Sequence, residues 1–224
     1  MNVAITLFPG TNCDTDTQYA FEKLGHKATI LWHKERTIPA NTDLVVIAGG
    51  FSYGDYLRSG AIARFSPIVE GVIAHANKGG KVLGICNGFQ ILTEARLLPG
   101  ALKRNEHLHF ISKHQHVRVE NNQNDFLRLL KVGDVLNLPI AHADGNYYAD
   151  AQTIAQMEQK GQVLLRYSDA SGAISNPNGS VGAIAGICNE TKNVFGLMPH
   201  PERAIEILLG SDDGIKMLQG FASL

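Results

Sequence analysis

With 224 residues, 44% of them hydrophobic, the chain is sized for one domain over residues 1–224 with a sizeable core. Twenty Lys and Arg against 21 Asp and Glu leave a net charge of −1, which gives no basis for a nucleic-acid surface or an acidic partner. Cys13, Cys86 and Cys188 are far apart, with no CxxC pair, so neither a disulfide framework nor a zinc site is encoded, and no apolar run approaches the roughly 20 residues of a membrane helix.

The N-terminal MNVAITLFPG lacks a basic region and a cleavage site, so it predicts a strand (3–8) rather than a signal peptide. With three free thiols, the expected location is the cytoplasm. After the polar loop GTNCDTD, TQYAFEKLG predicts a helix ending at Gly25. KATILWH (27–33) predicts a second strand. DLVVIAGG (43–50) predicts a third, continuous and apolar as a strand covered on both faces should be. The loop FSYGDYLRSGAIARF is long and rich in glycine and aromatics, and so suits either self-packing or contact with a substrate or partner. SPIVEGVIAHANKGG predicts a helix, KVLGI (81–85) a fourth strand and FQILTEARLL the helix after it.

The second half predicts shorter antiparallel strands. RNEHLHFISKHQHVRVE alternates like a solvated strand pair, and VLNLPIAHADGNYYA follows in the same style. QTIAQMEQKG predicts a helix, QVLLRYS a strand and GAIAGICNETKNVFGLMPH a hairpin about NETKN. PERAIEILLG and GIKMLQGFASL predict closing helices. The fold class is therefore α/β, a doubly wound and mostly parallel sheet with added antiparallel strands. Ligands of such sheets sit beyond the carboxyl ends of the strands, where FPGTNCD, AGGFSYGD and CNGFQ fall.

Gly84-x-Cys86-x-Gly88 is the thiol form of a nucleophile elbow. Such a turn lifts the side chain above the sheet, and flanking glycines remove atoms that would collide with the strand and helix beside it. The following helix aims its positive end at the sulfur, which favours the reactive thiolate. An ordinary buried cysteine lacks this setting, and Cys13 and Cys188 lack it here. A thiolate nucleophile needs a base and a group to orient it. His200 in GLMPHPERA follows an apolar strand, and Glu202, in the first turn of the helix expected at Pro201, is placed to accept from its ring. The N–H of Asn87 points where an oxyanion forms, and Gly49–Gly50 supplies a second unobstructed backbone donor.

These residues, with Gln90 in G-x-C-x-G-x-Q and the late PHPE, resemble the class I, triad-type glutamine amidotransferases, whose sheet is flavodoxin-like. FPGTNCD, GGFSYGDYLRSGAIA, GICNGFQIL, IAHADGNYYA, NPNGS and GLMPHPERA are together similar to the glutaminase subunits of phosphoribosylformylglycinamidine synthases. The resemblance implies that Cys86 attacks the glutamine side-chain amide, Gly50 and Asn87 hold the oxyanion, His200 moves the proton, Glu202 orients His200 and Gln90 contacts substrate. It further implies that ammonia passes to a large synthetase subunit using ATP and Mg²⁺, within a complex that holds a small accessory subunit. The chain itself carries no Walker A motif, and no cofactor or metal of its own is expected. Asp144 in HADG stands where glutamate is common in that family, and Ser112 where cysteine is. A hydrolase of another amide on the same fold, and a regulatory subunit without catalysis, are the competing readings.

Overall fold

The computed structural model describes residues 1–222. The first half forms β1 (Asn2–Leu7), α1 (Asp14–Lys23), β2 (Lys27–Trp32), β3 (Leu44–Ile47), α2 (Pro67–Asn77), β4 (Lys81–Ile85) and α3 (Asn87–Glu94). The second half adds β5 (Ala101–Lys103), β6 (Ile111–Val119), β7 (Val135–His142), β8 (Asn146–Tyr148), α4 (Ala151–Gln159), β9 (Val163–Ser168), β10 (Ile184–Cys188), β11 (Val194–Leu197) and α5 (Asp213–Ala222). Local rules account for several boundaries. Pro67 sits in the first turn of α2, where its missing N–H costs nothing. Asp150 caps α4 by accepting from the Thr153 N–H at 2.8 Å.

One nine-stranded sheet runs β2-β1-β3-β4-β11-β10-β9-β6-β7, and β5 pairs with β8 apart from it. The strands β2, β1, β3, β4 and β11 are parallel, in the flavodoxin-like order. β3, β4 and β11 lie in the middle of the sheet, and every residue of β3 and β11 is buried, as their unbroken apolar runs require. The antiparallel strands extend this same sheet. A single hydrophobic cluster runs from Val3 to Phe221. Among the described residues no helix is long and apolar enough to cross a membrane.

Two expectations are corrected. The His-rich run is not a strand pair: β6 is one nine-residue strand between β7 and β9, alternating because Gln115, Val117 and Val119 face inward. PERAIEILLG is not a helix either. It forms two single turns, Pro201–Arg203 and Ile207–Leu209, with Leu208 exposed and Gly210 at φ 98°. Tertiary bonds override its helical spacing: Pro139 O accepts from His200 N–H (2.8 Å), and Ala204 O from Gly214 N–H (2.7 Å).

Candidate active site

Cys86 caps β4 at φ 51°, ψ −104°, a conformation that costs a non-glycine residue about 1–3 kcal/mol. The turn is held from both sides. Cys86 N–H donates to Leu197 O of β11 at 2.8 Å. A Cβ on Gly88 would overlap the Ile47 carbonyl of β3, and one on Gly84 would lie 2.7 Å from Gly88 C. The glycines therefore let α3 start directly on the sheet, with Cys86 at its N-terminal cap. Cys86 Sγ rests 3.7 Å from Ala141 O, and the residue is 5% exposed.

Parallel pairing of β4 with β11 sets Ile85 opposite Leu197, so the segments that follow them emerge side by side. That register brings His200 to Cys86 across more than a hundred residues of chain. His200 Nδ1–H donates to Glu202 Oε1 at 2.6 Å, and both residues are 1% exposed. The helix expected around Glu202 is absent, yet the single turn Pro201–Arg203 folds its carboxylate onto the ring. Burial alone would push the imidazole pKa down, but the fields of Glu202 and then Cys86 outweigh it and hold His200 well above the usual histidine value. Nε2 makes no well-aligned hydrogen bond, although the thiols of Cys86 and Cys13 both lie close enough to act on it. Loose contacts of this kind are expected of a resting catalytic pair.

Gly50 lies at φ 143°, and a Cβ there would sit 2.7 Å from Asn12 N. Its bridge to Thr11 is closed by Phe51 N–H to Gly10 O (2.9 Å) and Asn12 N–H to Gly49 O (3.4 Å), which leaves the Gly50 N–H out of the pairing. The Asn87 N–H belongs to the first turn of α3, where backbone donors have no partner in the helix. Asn87 also ties the site together through its side chain. Its Oδ1 accepts from Ser52 N–H (3.1 Å), and its Nδ2 donates to Gln90 Oε1 (2.8 Å). Gln90 lines a cavity beside Cys86, and its own Nε2 donates to Asp144 O at 2.8 Å. Its carboxamide thus braces the loop after β7 against α3.

Several residues in the site carry no sequence signal of their role. Cys13 Sγ lies within 4.8 Å of the His200 and Glu202 ligand atoms, although its loop setting pointed only to structure. Burial pushes the Cys13 thiol up against the lowering pull of His200, which disfavours it as a nucleophile. The trio is a poor metal site, since His200 Nδ1 and Glu202 Oε1 are already bonded to each other. Cys188 is buried in β10 and pushed up to about 11 by burial, as a packing cysteine should be. The long loop 51–65 contributes Asp55 and Ser59 to the cavity wall while exposing Tyr56, Leu57 and Phe65. His142 and Asp144 complete that wall.

Two cavities of about 30 Å³ meet at Cys86, one reaching Cys13 and His200, the other Asp55 and Asp144. Each has room for roughly two waters, so glutamine enters only if the surrounding loops move. Gly49 gives a sharp test of the packing. A Cβ there would lie 2.8 Å from His200 Cε1 and 3.2 Å from Cys13 Sγ. Gly49→Ala should displace the ring and lower kcat by about a hundredfold, while far-ultraviolet circular dichroism shows the fold retained. Unchanged steady-state turnover would mean that the ring position does not matter.

An elbow thiol, a buried His–Glu pair and two backbone donors on a flavodoxin-like sheet are the parts that acyl transfer through a thiol nucleophile requires. A family model described as a CobB/CobQ-like glutamine amidotransferase domain matches residues 1–212, and the chain belongs to that family. It is 65% identical over 221 residues to the phosphoribosylformylglycinamidine synthase subunit PurQ of Sulfurimonas denitrificans, covering 99% of both chains. It is 59% identical over 222 residues to the PurQ subunit of Wolinella succinogenes, covering 99% of this chain and all of that one. The solved structure of PurLQS from Thermotoga maritima superposes with a TM-score of 0.89 at 40% identity, covering 99% of this chain and 97% of that one.

Proposed function

We infer that the chain is the glutamine-hydrolysing subunit of a phosphoribosylformylglycinamidine synthase in purine biosynthesis, and that Cys86, His200 and Glu202 carry the hydrolysis. The observation that bears most weight is the buried 2.6 Å His200–Glu202 pair set against a thiol on a strained elbow. Cys86 gives its proton to His200 as Sγ attacks the amide carbon of glutamine, and the Gly50 and Asn87 N–H groups receive the oxyanion, each worth roughly 3 kcal/mol in comparable sites. His200, its imidazolium stabilised by Glu202, gives that proton to the departing nitrogen, and the C–N bond breaks to release ammonia. The γ-glutamyl thioester remains on Cys86. His200 then takes a proton from water as it attacks the thioester and returns it to the departing sulfur, which frees glutamate and the thiol.

Ammonia goes to the large synthetase subunit, which in this proposal uses ATP and Mg²⁺ to convert formylglycinamide ribonucleotide to the amidine. A small accessory subunit completes the complex. Tyr56 and Leu57, exposed beside the cavity that Asp55 lines, suit the synthetase contact. The continuous core supports treating 1–224 as one domain, and three free cysteines suit the cytoplasm. The test is reconstitution. The complex should make the amidine from glutamine, and the chain alone should hydrolyse glutamine at least about tenfold more slowly, because its cavities of about 30 Å³ are too small to admit the substrate. A complex that uses ammonia but never glutamine would refute the function. Equal glutaminase rates with and without the partner would refute the gating.

A further inference from the structure

Cys13 occupies the N-cap of α1, where a short polar side chain ordinarily accepts from the N–H groups of the first turn. Its side chain makes no such bond. The thiol turns instead to the end of β3 and to His200. A Cβ placed on Gly49 would meet Cys13 Sγ at 3.2 Å and His200 Cε1 at 2.8 Å, so sulfur and ring flank the same spot. The backbone of Cys13 is fixed from two sides: its N–H donates to Gly49 O at 3.2 Å, and its carbonyl accepts from Thr17 Oγ1 at 2.6 Å. The helix thus forgoes a cap, and a buried, immobile sulfur faces the catalytic ring.

Proton placement sets what that sulfur can do. His200 Nδ1–H is committed to Glu202, so Nε2 is the nitrogen left for a thiol. A thiol has one proton, and Cys13 donates it to Asn12 Oδ1 at 3.2 Å. The sulfur therefore presents a lone pair to His200. It accepts from Nε2–H once the ring is protonated, and it does not compete with Cys86 to deliver a proton to the neutral ring. Burial lowers the pKa of His200, while Glu202, then Cys86, then the Cys13 thiol raise it. The remaining groups around the ring are settled. Arg203 is paired with Asp16 at 2.9 Å, and His142, pushed down to about 4 by burial and then by His200, is neutral. Burial outweighs the pull of His200 on Cys13 itself and keeps that thiol neutral.

We propose that Cys13 is a positioning residue: its sulfur accepts from Nε2–H of the His200 imidazolium and so holds the ring and its proton in place between uptake from Cys86 and delivery to the departing nitrogen. Sulfur suits this task because it is a weak acceptor, which steadies the proton without capturing it. The inference rests on glutamine hydrolysis at Cys86.

The test uses the assembled synthetase complex. Cys13→Ala removes the acceptor, and Cys13→Val removes it while filling the space. Each should lower kcat for glutamine by about tenfold with KM held within about twofold, and should move the alkaline limb of the kcat/KM profile to lower pH, because the imidazolium loses a partner. Asn12→Ala, at an exposed position, frees the Cys13 S–H to donate to neutral Nε2 and should move the limb in the same direction. Amidation with added ammonia reports that each variant folds and docks; if a Cys13 variant fails that check, Asn12→Ala decides alone. Cys13→Val with intact kcat and an unmoved limb would make Cys13 a packing residue and overturn the inference, as would an unmoved limb in Cys13→Ala or Asn12→Ala. Failure of the glutaminase reading is seen separately, as an intact complex that makes no amidine from glutamine.

Discussion

Cys86→Ala reduces glutamine hydrolysis to background, on the order of 10⁵-fold or more, while ammonia-dependent amidation by the complex persists. The size follows from the loss of the covalent route, since removing the nucleophile of an acyl-transfer triad costs nearly as much as removing the whole triad. The separation of the two activities follows from where the residue sits. Cys86 is buried at the end of β4, and its side chain contacts Ala141 O, so its loss leaves the exposed loop face of the subunit unaltered. The same variant should melt within a few degrees of the intact protein, because only one sulfur is removed from a turn that is itself strained. Residual glutaminase activity in Cys86→Ala at a tenth of the intact rate would assign the chemistry to another group.

Glu202→Gln is expected to lower kcat by about a hundredfold or more with the fold retained. The carboxylate stabilises the charged His200 ring across 2.6 Å in a fully buried setting. An amide removes that charge, so the pKa of His200 falls. Because imidazolium supplies the proton to the departing nitrogen, its lower pKa moves the alkaline limb of the kcat/KM profile to lower pH. A pH series on the intact and variant complexes checks both the drop and the direction. An unshifted alkaline limb would mean that Glu202 positions the ring without setting its charge.

Much of the parallel half was legible because its signals are local. The apolar runs at 43–50 and 81–85 and the glycines around Cys86 each lie within a few residues of the structure they specify. His200 and Glu202 were legible as a pair for the same reason, but their approach to Cys86 depends on β11 pairing with β4, which no spacing reveals. The helix expected over PERAIEILLG failed because its helical apolar spacing competes with long-range bonds from Pro139 and Gly214. Cys13, Asp55 and His142 were missed as site residues because each enters through contacts far along the chain. The Ser59–Asp144 bond, for instance, spans 85 positions. Asp144 stood out only as a departure from the family pattern. Its pairing with Asp55 across a cavity belongs to tertiary structure alone.

The central claim, that Cys86 is the nucleophile, is tested most directly by trapping its covalent intermediate. The complex is acid-quenched during steady-state glutamine turnover and its peptides are read by mass spectrometry. A γ-glutamyl group should be found on the peptide bearing Cys86, at a substantial fraction of sites, and be absent in Cys86→Ala. Its appearance on Cys13, the other thiol beside His200, or turnover in which no thiol is ever acylated, would contradict the account.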